Sequence, residues 1–342
     1  MRLGERYIGP DSPPYVIAEI GVNHDGKVDR ALQLVEAAAH AKADAIKLQL
    51  FETDRLLSRA AELAAYQKNA GVSDPFALLR SLELSVKQMR PVVDRAHALR
   101  LHAIVTVFSV ELVEDANRVG GWDAYKTASP DVINKPLIDA LIATGKPLIV
   151  SCGAATMDEI ARASQWIGDH PHLLMQCVSA YPAPEASAAI AGRCAMRCVD
   201  PAALGYSDHT QAIDTGALAV AGGARVLEKH LTHDRRASGP DHAASLDPAG
   251  FADYVRLAHR AFEMLGRREK IVLDIEKDVR NVSRQSLTTI RALKSGHVLM
   301  REDLTSKRPG TGLPPWTLER VVGRRLSRAV EADMPLMEAD LE

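Results

Sequence analysis

The sequence predicts an α/β protein: a (β/α)8 barrel of the TIM type followed by a small, β-rich C-terminal domain. Three observations predict it. Short apolar runs rich in β-branched residues alternate with longer stretches of helical period, eight times over. Those runs end in polar or charged residues, as parallel barrel strands do where they build a site. After Gly266 the alternation stops, and short runs punctuated by Gly and Pro take over. The 342 residues suit a barrel of roughly 250 residues plus a small appended unit.

The elements follow in chain order. Residues 15–20 (Tyr-Val-Ile-Ala-Glu-Ile) form the first strand, and 31–41, rich in Ala, Leu and Val, the first helix. Strand 44–50 is followed by an irregular excursion over 52–81, which contains Gly71 and Pro75. Helix 86–99, strand 102–107, helix 110–119, short strand 124–128 and short helix 136–143 come next. Strand 147–151 leads to helix 157–167, strand 173–178 to a short helix at 186–196, and strand 203–207 to helix 213–221. Strand 225–229 and helix 251–265 close the series. Strict alternation implies a parallel sheet, and eight units suggest closure. An open doubly wound sheet is the alternative, although no G-x-G-x-x-G follows the first strand. The barrel domain is expected over 1–268, a charge-dense linker over 269–284 and the small domain over 285–342. The last is broken by Gly296, Pro309-Gly310, Gly312, Pro314-Pro315, Gly323 and Pro335.

Composition bounds the function. Apolar residues at 46% and charged residues at 25% are the balance of an ordinary globular protein. A net charge of -2 gives no global field to gather nucleic acid or an anionic membrane, so an anionic substrate must be held by local charges. No run approaches the roughly 18 apolar residues of a membrane span, and none follows the charges of residues 1–6 as in a secretory leader. Four cysteines, Cys152, Cys177, Cys194 and Cys198, fit a reducing compartment, so a cytoplasmic location is expected. Cys194 and Cys198 are spaced like half a zinc site, but no second pair follows.

The strand ends carry the chemistry. In order they present Glu19 with Asn23-His24, Lys47 and Gln49, Thr106, Lys126 and Ser129, Ser151, Gln176 and Ser179, Ser207 through Thr210, and Glu228-Lys229-His230. His209 and His230 follow neighbouring strands and could share one divalent ion; nitrogen with oxygen co-ligands suits manganese, iron or zinc. Alternatively each is a plain polar contact. Lys47 and Lys126 with the hydroxyls of Thr106, Ser129, Ser151 and Ser207 could cradle an anion. The alternatives are barrel ion pairs, or a Schiff-base lysine in an aldolase. Glu19 interrupts an apolar strand and needs a ligand or a partner such as Lys47. The turn at Gly239-Pro240 either presents Asp241 and His242 to the site or leaves them in solvent.

Taken together and in order, these residues resemble the sialic acid synthase family. Residues 17–24 (Ile-Ala-Glu-Ile-Gly-Val-Asn-His) look like its opening signature, and Lys47-Leu48-Gln49 like its second-strand motif. Gly205-Tyr206-Ser207-Asp208-His209-Thr210, Glu228-Lys229-His230 and Gly239-Pro240-Asp241-His242 are the most specific stretches. Residues 307–312 (Lys-Arg-Pro-Gly-Thr-Gly) resemble the signature of its C-terminal SAF, or antifreeze-like, domain.

The resemblance implies condensation of phosphoenolpyruvate with an N-acetylated amino sugar to a nine-carbon 2-keto-3-deoxy acid and phosphate. N-acetylmannosamine or a diacetamido-trideoxy hexose would be the acceptor. It implies Glu19, Asp131, His209 and His230 as catalytic groups. The two histidines would hold a divalent metal, manganese first, with magnesium, cobalt or zinc as alternatives. Lys47, Thr106, Lys126, Ser129, Ser151 and Ser207 would bind phosphoenolpyruvate. Gln49, Tyr181, Asp241 and Arg308 would face the sugar, with Arg308 reaching the partner barrel of a domain-swapped homodimer. Three positions depart from the family pattern. Ser129-Pro130-Asp131 replaces Ser-Gly-acid, Ser179 stands where Asn is usual, and Leu50 follows Gln49 in place of a small polar residue. Proline removes an N–H that glycine supplies. The competing readings are a metal-free Schiff-base aldolase and a non-catalytic sugar-binding homologue.

Overall fold

The computed structural model describes residues 1–60, 74–267 and 269–342. They divide into two compact units, Met1–Gly266 and Arg267–Glu342. In the first unit a short antiparallel hairpin, β1 (Arg2–Leu3) and β2 (Arg6–Tyr7), precedes eight parallel strands. These are β3 (Tyr15–Glu19), β4 (Ala45–Leu50), β5 (His102–Val107), β6 (Ala124–Thr127), β7 (Leu148–Ser151), β8 (His172–Cys177), β9 (Gly205–Asp208) and β10 (Val226–His230). β10 pairs with both β3 and β9, so the sheet is a closed barrel, as the alternation predicts, and not an open sheet.

Side-chain parity divides each strand between two environments. Val16, Ala18, Ile46, Leu48, Val105, Val150 and Leu227 point outward into one apolar cluster with the helices. Ile17, Ala45, Ile104, Ala124, Ile149, Leu173 and Val226 point inward and fill the barrel floor. Leu3 and Ile8, on and just after the hairpin, plug that floor and are 0% and 2% exposed. Further along the strands the inward positions turn polar, at Glu19, Lys47, Thr106, Lys126, Ser151, Ser207 and Glu228, whereas β8 continues with Met175 and Cys177.

The helices outside the sheet begin where the sequence supplies caps. The Thr156 hydroxyl oxygen accepts a hydrogen bond from the Glu159 amide, and the Glu159 carboxylate accepts one from the Thr156 amide at 2.8 Å. That opens helix Met157–Ile167, which buries Ile160, Ala163 and Ile167. Asp247 caps the long last helix, Pro248–Leu265, with proline in its first position.

Among the described residues the structure adds elements that the sequence reading lacks, the hairpin and the helices Pro75–Leu82 and Lys277–Ser283 among them. The two-residue strands of the hairpin are too short to show a period. Within the expected excursion, 61–73 lies outside the described residues, whereas Pro75–Leu82 is a helix capped by Asp74. The segment expected as a linker holds a helix at Lys277–Ser283. The second unit packs Leu287, Leu293, Leu299, Leu304, Val321, Leu326 and Leu336 around the antiparallel pair β11 (Ser286–Thr289) and β12 (Leu304–Lys307). No described helix is long and apolar enough to cross a membrane.

Candidate active site

The inward polar layer surrounds a cavity of about 380 Å³ at the C-terminal mouth of the barrel. Glu19, Lys47, Gln49, Thr106, Lys126, Ser151, Ser207 and Glu228 line it from the strands, with His230 at the end of β10. His209 follows β9, and Ser129, Tyr181 and Asp241 come from the loops beyond. The residues to which the family resemblance assigns a role therefore converge, with two exceptions. Asp131 lies in the short turn Ser129–Ile133, which directs Pro130 to the cavity and leaves Asp131 paired with Asn134 Nδ2 at 3.3 Å. Arg308 belongs to the second unit and is exposed. His242, expected beside Asp241, turns away from the cavity to Asp25 and Thr232.

Two lysines and two carboxyls occupy the centre. Lys47 Nζ pairs with Glu19 Oε2 and donates to Thr106 Oγ1 at 2.9 Å. Lys126 Nζ donates to Ser151 Oγ at 2.6 Å. Glu228 Oε1 lies 3.7 Å from Lys47 Nζ and 3.6 Å from Lys126 Nζ, and it accepts from Ser207 Oγ. All four charged groups are nearly excluded from water, so the two carboxyls fare differently. Burial pushes Glu19 up to about 8; Lys47 opposes the rise and Glu228 adds to it. Burial would raise Glu228 too, but Lys126 and Lys47 outweigh it and hold Glu228 below its ordinary value. Burial lowers Lys126, against the pull of Glu228. It would lower Lys47 as well, but Glu19 and Glu228 together keep that ammonium charged. Glu19 thus takes up a proton first while Glu228 stays ionised.

The sequence places Glu228 among the strand-end candidates but assigns it no role. The signal for one was parity: Glu228 and His230 are two apart on β10 and share the inward face. Lys229 between them points outward, 3.1 Å from Asp208 and above the Tyr254 ring.

The imidazoles are held in their neutral, ligand-competent form. His209 Nδ1 donates to the Val178 carbonyl at 2.6 Å, which fixes the tautomer and leaves the Nε2 lone pair 3.5 Å from Ser207 Oγ. Burial pulls His209 down to about 4 and His230 well below its ordinary value. The ring centroids are 5.5 Å apart, and Tyr181 stacks 4.2 Å from His209. His230 Nδ1 is buried without a hydrogen-bond partner, 3.5 Å from Asp241 Oδ2. Among the described residues no three His, Cys, Asp or Glu side chains form a complete metal cage. Two free imidazole nitrogens fit a metal that takes its remaining ligands from water or substrate.

One hydroxyl departs from a simple phosphate cradle. Ser129 Oγ accepts from the Gly153 amide at 3.0 Å and touches Cys177 Sγ at the same distance. Gly153 is confined: a Cβ there would lie 2.4 Å from Ser179 Oγ. Cys194 and Cys198 are exposed free thiols. Gln176 turns out of the barrel toward the Ala189 carbonyl. Asn23 binds the Leu231 carbonyl and Ser245, and His24 is buried behind the cavity wall.

Residues 34–270 match the NeuB family, and residues 284–342 match the SAF domain. The chain is 34% identical over 337 residues to the N,N'-diacetyllegionaminic acid synthase of Legionella pneumophila, covering 96% of this chain and 94% of that one. It is 30% identical over 330 residues to the synthase of the same description from Campylobacter jejuni, covering 94% and 98%. Among solved structures it resembles the N-acetylneuraminic acid synthetase of Leptospira borgpetersenii in complex with citrate. That likeness has a TM-score of 0.74 at 30% identity and covers 82% of this chain and 94% of that one.

Proposed function

The chain belongs to the NeuB family of sialic acid synthase-type enzymes, and from that premise we propose that it condenses phosphoenolpyruvate with an N-acetylated amino sugar to a 2-keto-3-deoxy sugar acid and phosphate. The observation that carries this reading is the cavity itself. Two buried cations face it beside two neutral imidazoles and an acid–base pair of carboxyls.

Lys47 and Lys126, with Thr106, Ser151 and Ser207, bind the phosphate and carboxylate of phosphoenolpyruvate. Ser129 orients from the side through its bond with Gly153. His209 and His230 would hold a divalent metal, manganese first, which when bound would supply Lewis-acid polarisation of the sugar aldehyde. Gln49, Tyr181 and Asp241 form the acceptor side, where Ser179 and Pro130 shape the wall. The enol carbon C3 bonds to the aldehyde carbon, and the aldehyde oxygen takes a proton. Water adds at C2 and loses a proton. The C2 hydroxyl then gives up its proton as the C2–O bond to phosphate breaks, leaving the ketone, and inorganic phosphate takes up a proton and leaves beside the lysines. Glu19, which holds a proton below about pH 8, and the ionised Glu228 supply the acid and the base. In this reading Arg308 completes the acceptor site of the partner barrel in a homodimer, and Asp131, paired with Asn134, supports the turn that brings Ser129 and Pro130 to the cavity.

Incubating the protein with phosphoenolpyruvate, manganese and single amino sugars tests the reading by mass spectrometry. A product equal to acceptor plus pyruvate, formed with one equivalent of phosphate, is expected. Borohydride trapping of Lys47 or Lys126, with no effect of chelators, would replace it by Schiff-base chemistry.

A further inference from the structure

Asp241 and His242 are sequence neighbours whose side chains part. The Asp241 carboxyl lines the cavity, whereas the His242 ring is 1% exposed and points into the wall behind it. There His242 Nε2 lies 3.0 Å from Asp25 Oδ1, and Nδ1 lies 2.6 Å from Thr232 Oγ1. A carboxylate only accepts, so Nε2 carries the proton toward Asp25. Arg30 pairs with the other Asp25 oxygen. The chain Arg30–Asp25–His242–Thr232 therefore ties the loop after β10 to the loop after β3, across 217 residues of sequence.

Two further observations mark this tie as built. Asp25 holds φ 50°, a left-handed conformation uncommon for residues other than glycine. Gly239 packs so closely on the ring that a Cβ there would lie 2.6 Å from His242 Cδ2. A second strut runs beside the first: Ser245 Oγ donates to the Asp241 carbonyl at 2.6 Å, and Asn23 Nδ2 donates to Ser245 Oγ at 2.8 Å.

We propose that Asp25 and His242 are positioning residues that seat the Asp241 carboxyl on the acceptor side of the cavity; the acceptor assignment rests on the proposed function. Neither residue lines the cavity. Their effect passes through the backbone at 241–242, because a released His242 ring frees the peptide that aims Asp241. The phosphoenolpyruvate side, built on β4 to β7 and on Ser207 of β9, carries no part of this tie.

The test compares Asp25→Ala, Asp25→Asn and the unmodified chain in the full-length protein. Asp25→Ala is expected to raise KM for the acceptor roughly tenfold, as loss of a charge-assisted hydrogen bond does, with KM for phosphoenolpyruvate within about twofold. Asp25→Asn keeps an oxygen that accepts from Nε2 and is expected to restore most of the acceptor affinity. His242→Gln, read the same way, serves if Asp25→Ala does not fold. Both KM values rising in parallel, or neither moving, would overturn the proposal. If the unmodified chain makes no product with any acceptor, the reaction is what fails. Crystal structures of the same variants then decide the tie: an Asp241 carboxyl displaced from the cavity supports it, and an unmoved one overturns it.

Discussion

At the scale of single residues, the cavity sorts like groups by their surroundings. Glu19 and Glu228 share one buried space, yet only Glu228 has a cation on each side. The raised Glu19 has a consequence for stability. Its folded value of about 8 lies above the ordinary 4.5, so the native state binds this proton more tightly than the unfolded chain does. The Glu19 contribution is full below about 4.5 and is lost as pH rises through about 8. Thermal melts of the ligand-free protein should therefore fall across that window, and Glu19→Gln should flatten the fall; an unchanged slope would reassign the proton. Lys126→Met removes the cation beside Ser151 and should raise KM for phosphoenolpyruvate by about ten- to a hundredfold, leaving KM for the sugar nearly unchanged in steady-state kinetics. Most of these residues were legible because barrel strands end in the site. The role of Glu228 and the part played by Asp25 were not. The first hid in a Glu-Lys-His triplet whose parity had to be counted, and the second acts through a partner 217 residues away.

At the scale of elements, period and caps carried the reading. β5 and helix Met157–Ile167 have the same bounds in sequence and structure, because β-branched alternation and a capping box mark their ends. Thr156→Ala should cost about 1 kcal/mol by losing that box. It should lower the melting temperature by a few degrees without changing KM for either substrate, because the helix packs on the outer face of the sheet. The hairpin, the helix Pro75–Leu82 and the helix Lys277–Ser283 escaped the reading. Two-residue strands have no measurable period, and a Pro read as a breaker at 75 is instead the first residue of a helix. The charge density of 269–284 masked a helix that exposes Val279 and Val282.

At the scale of the whole molecule, a barrel whose floor is dry and whose mouth is polar explains how a chain of net charge -2 can hold a multiply charged anion. The attraction is local, set by Lys47 and Lys126 in a site that excludes water. The second unit has its own apolar core and carries Arg308 on an exposed stretch. If Arg308 serves a partner barrel, Arg308→Ala and His209→Ala should each be nearly inactive, and co-expression of the two should restore activity by pairing one intact site per dimer. Absence of restoration would place Arg308 outside the partner's site.

The most direct measurement is phosphate release from phosphoenolpyruvate, with and without manganese, across a panel of N-acetylated amino sugars, using His209→Ala as the control. Release that requires one sugar, the metal and His209 is the predicted result. Release that needs no sugar, or that persists undiminished in His209→Ala, would contradict the account.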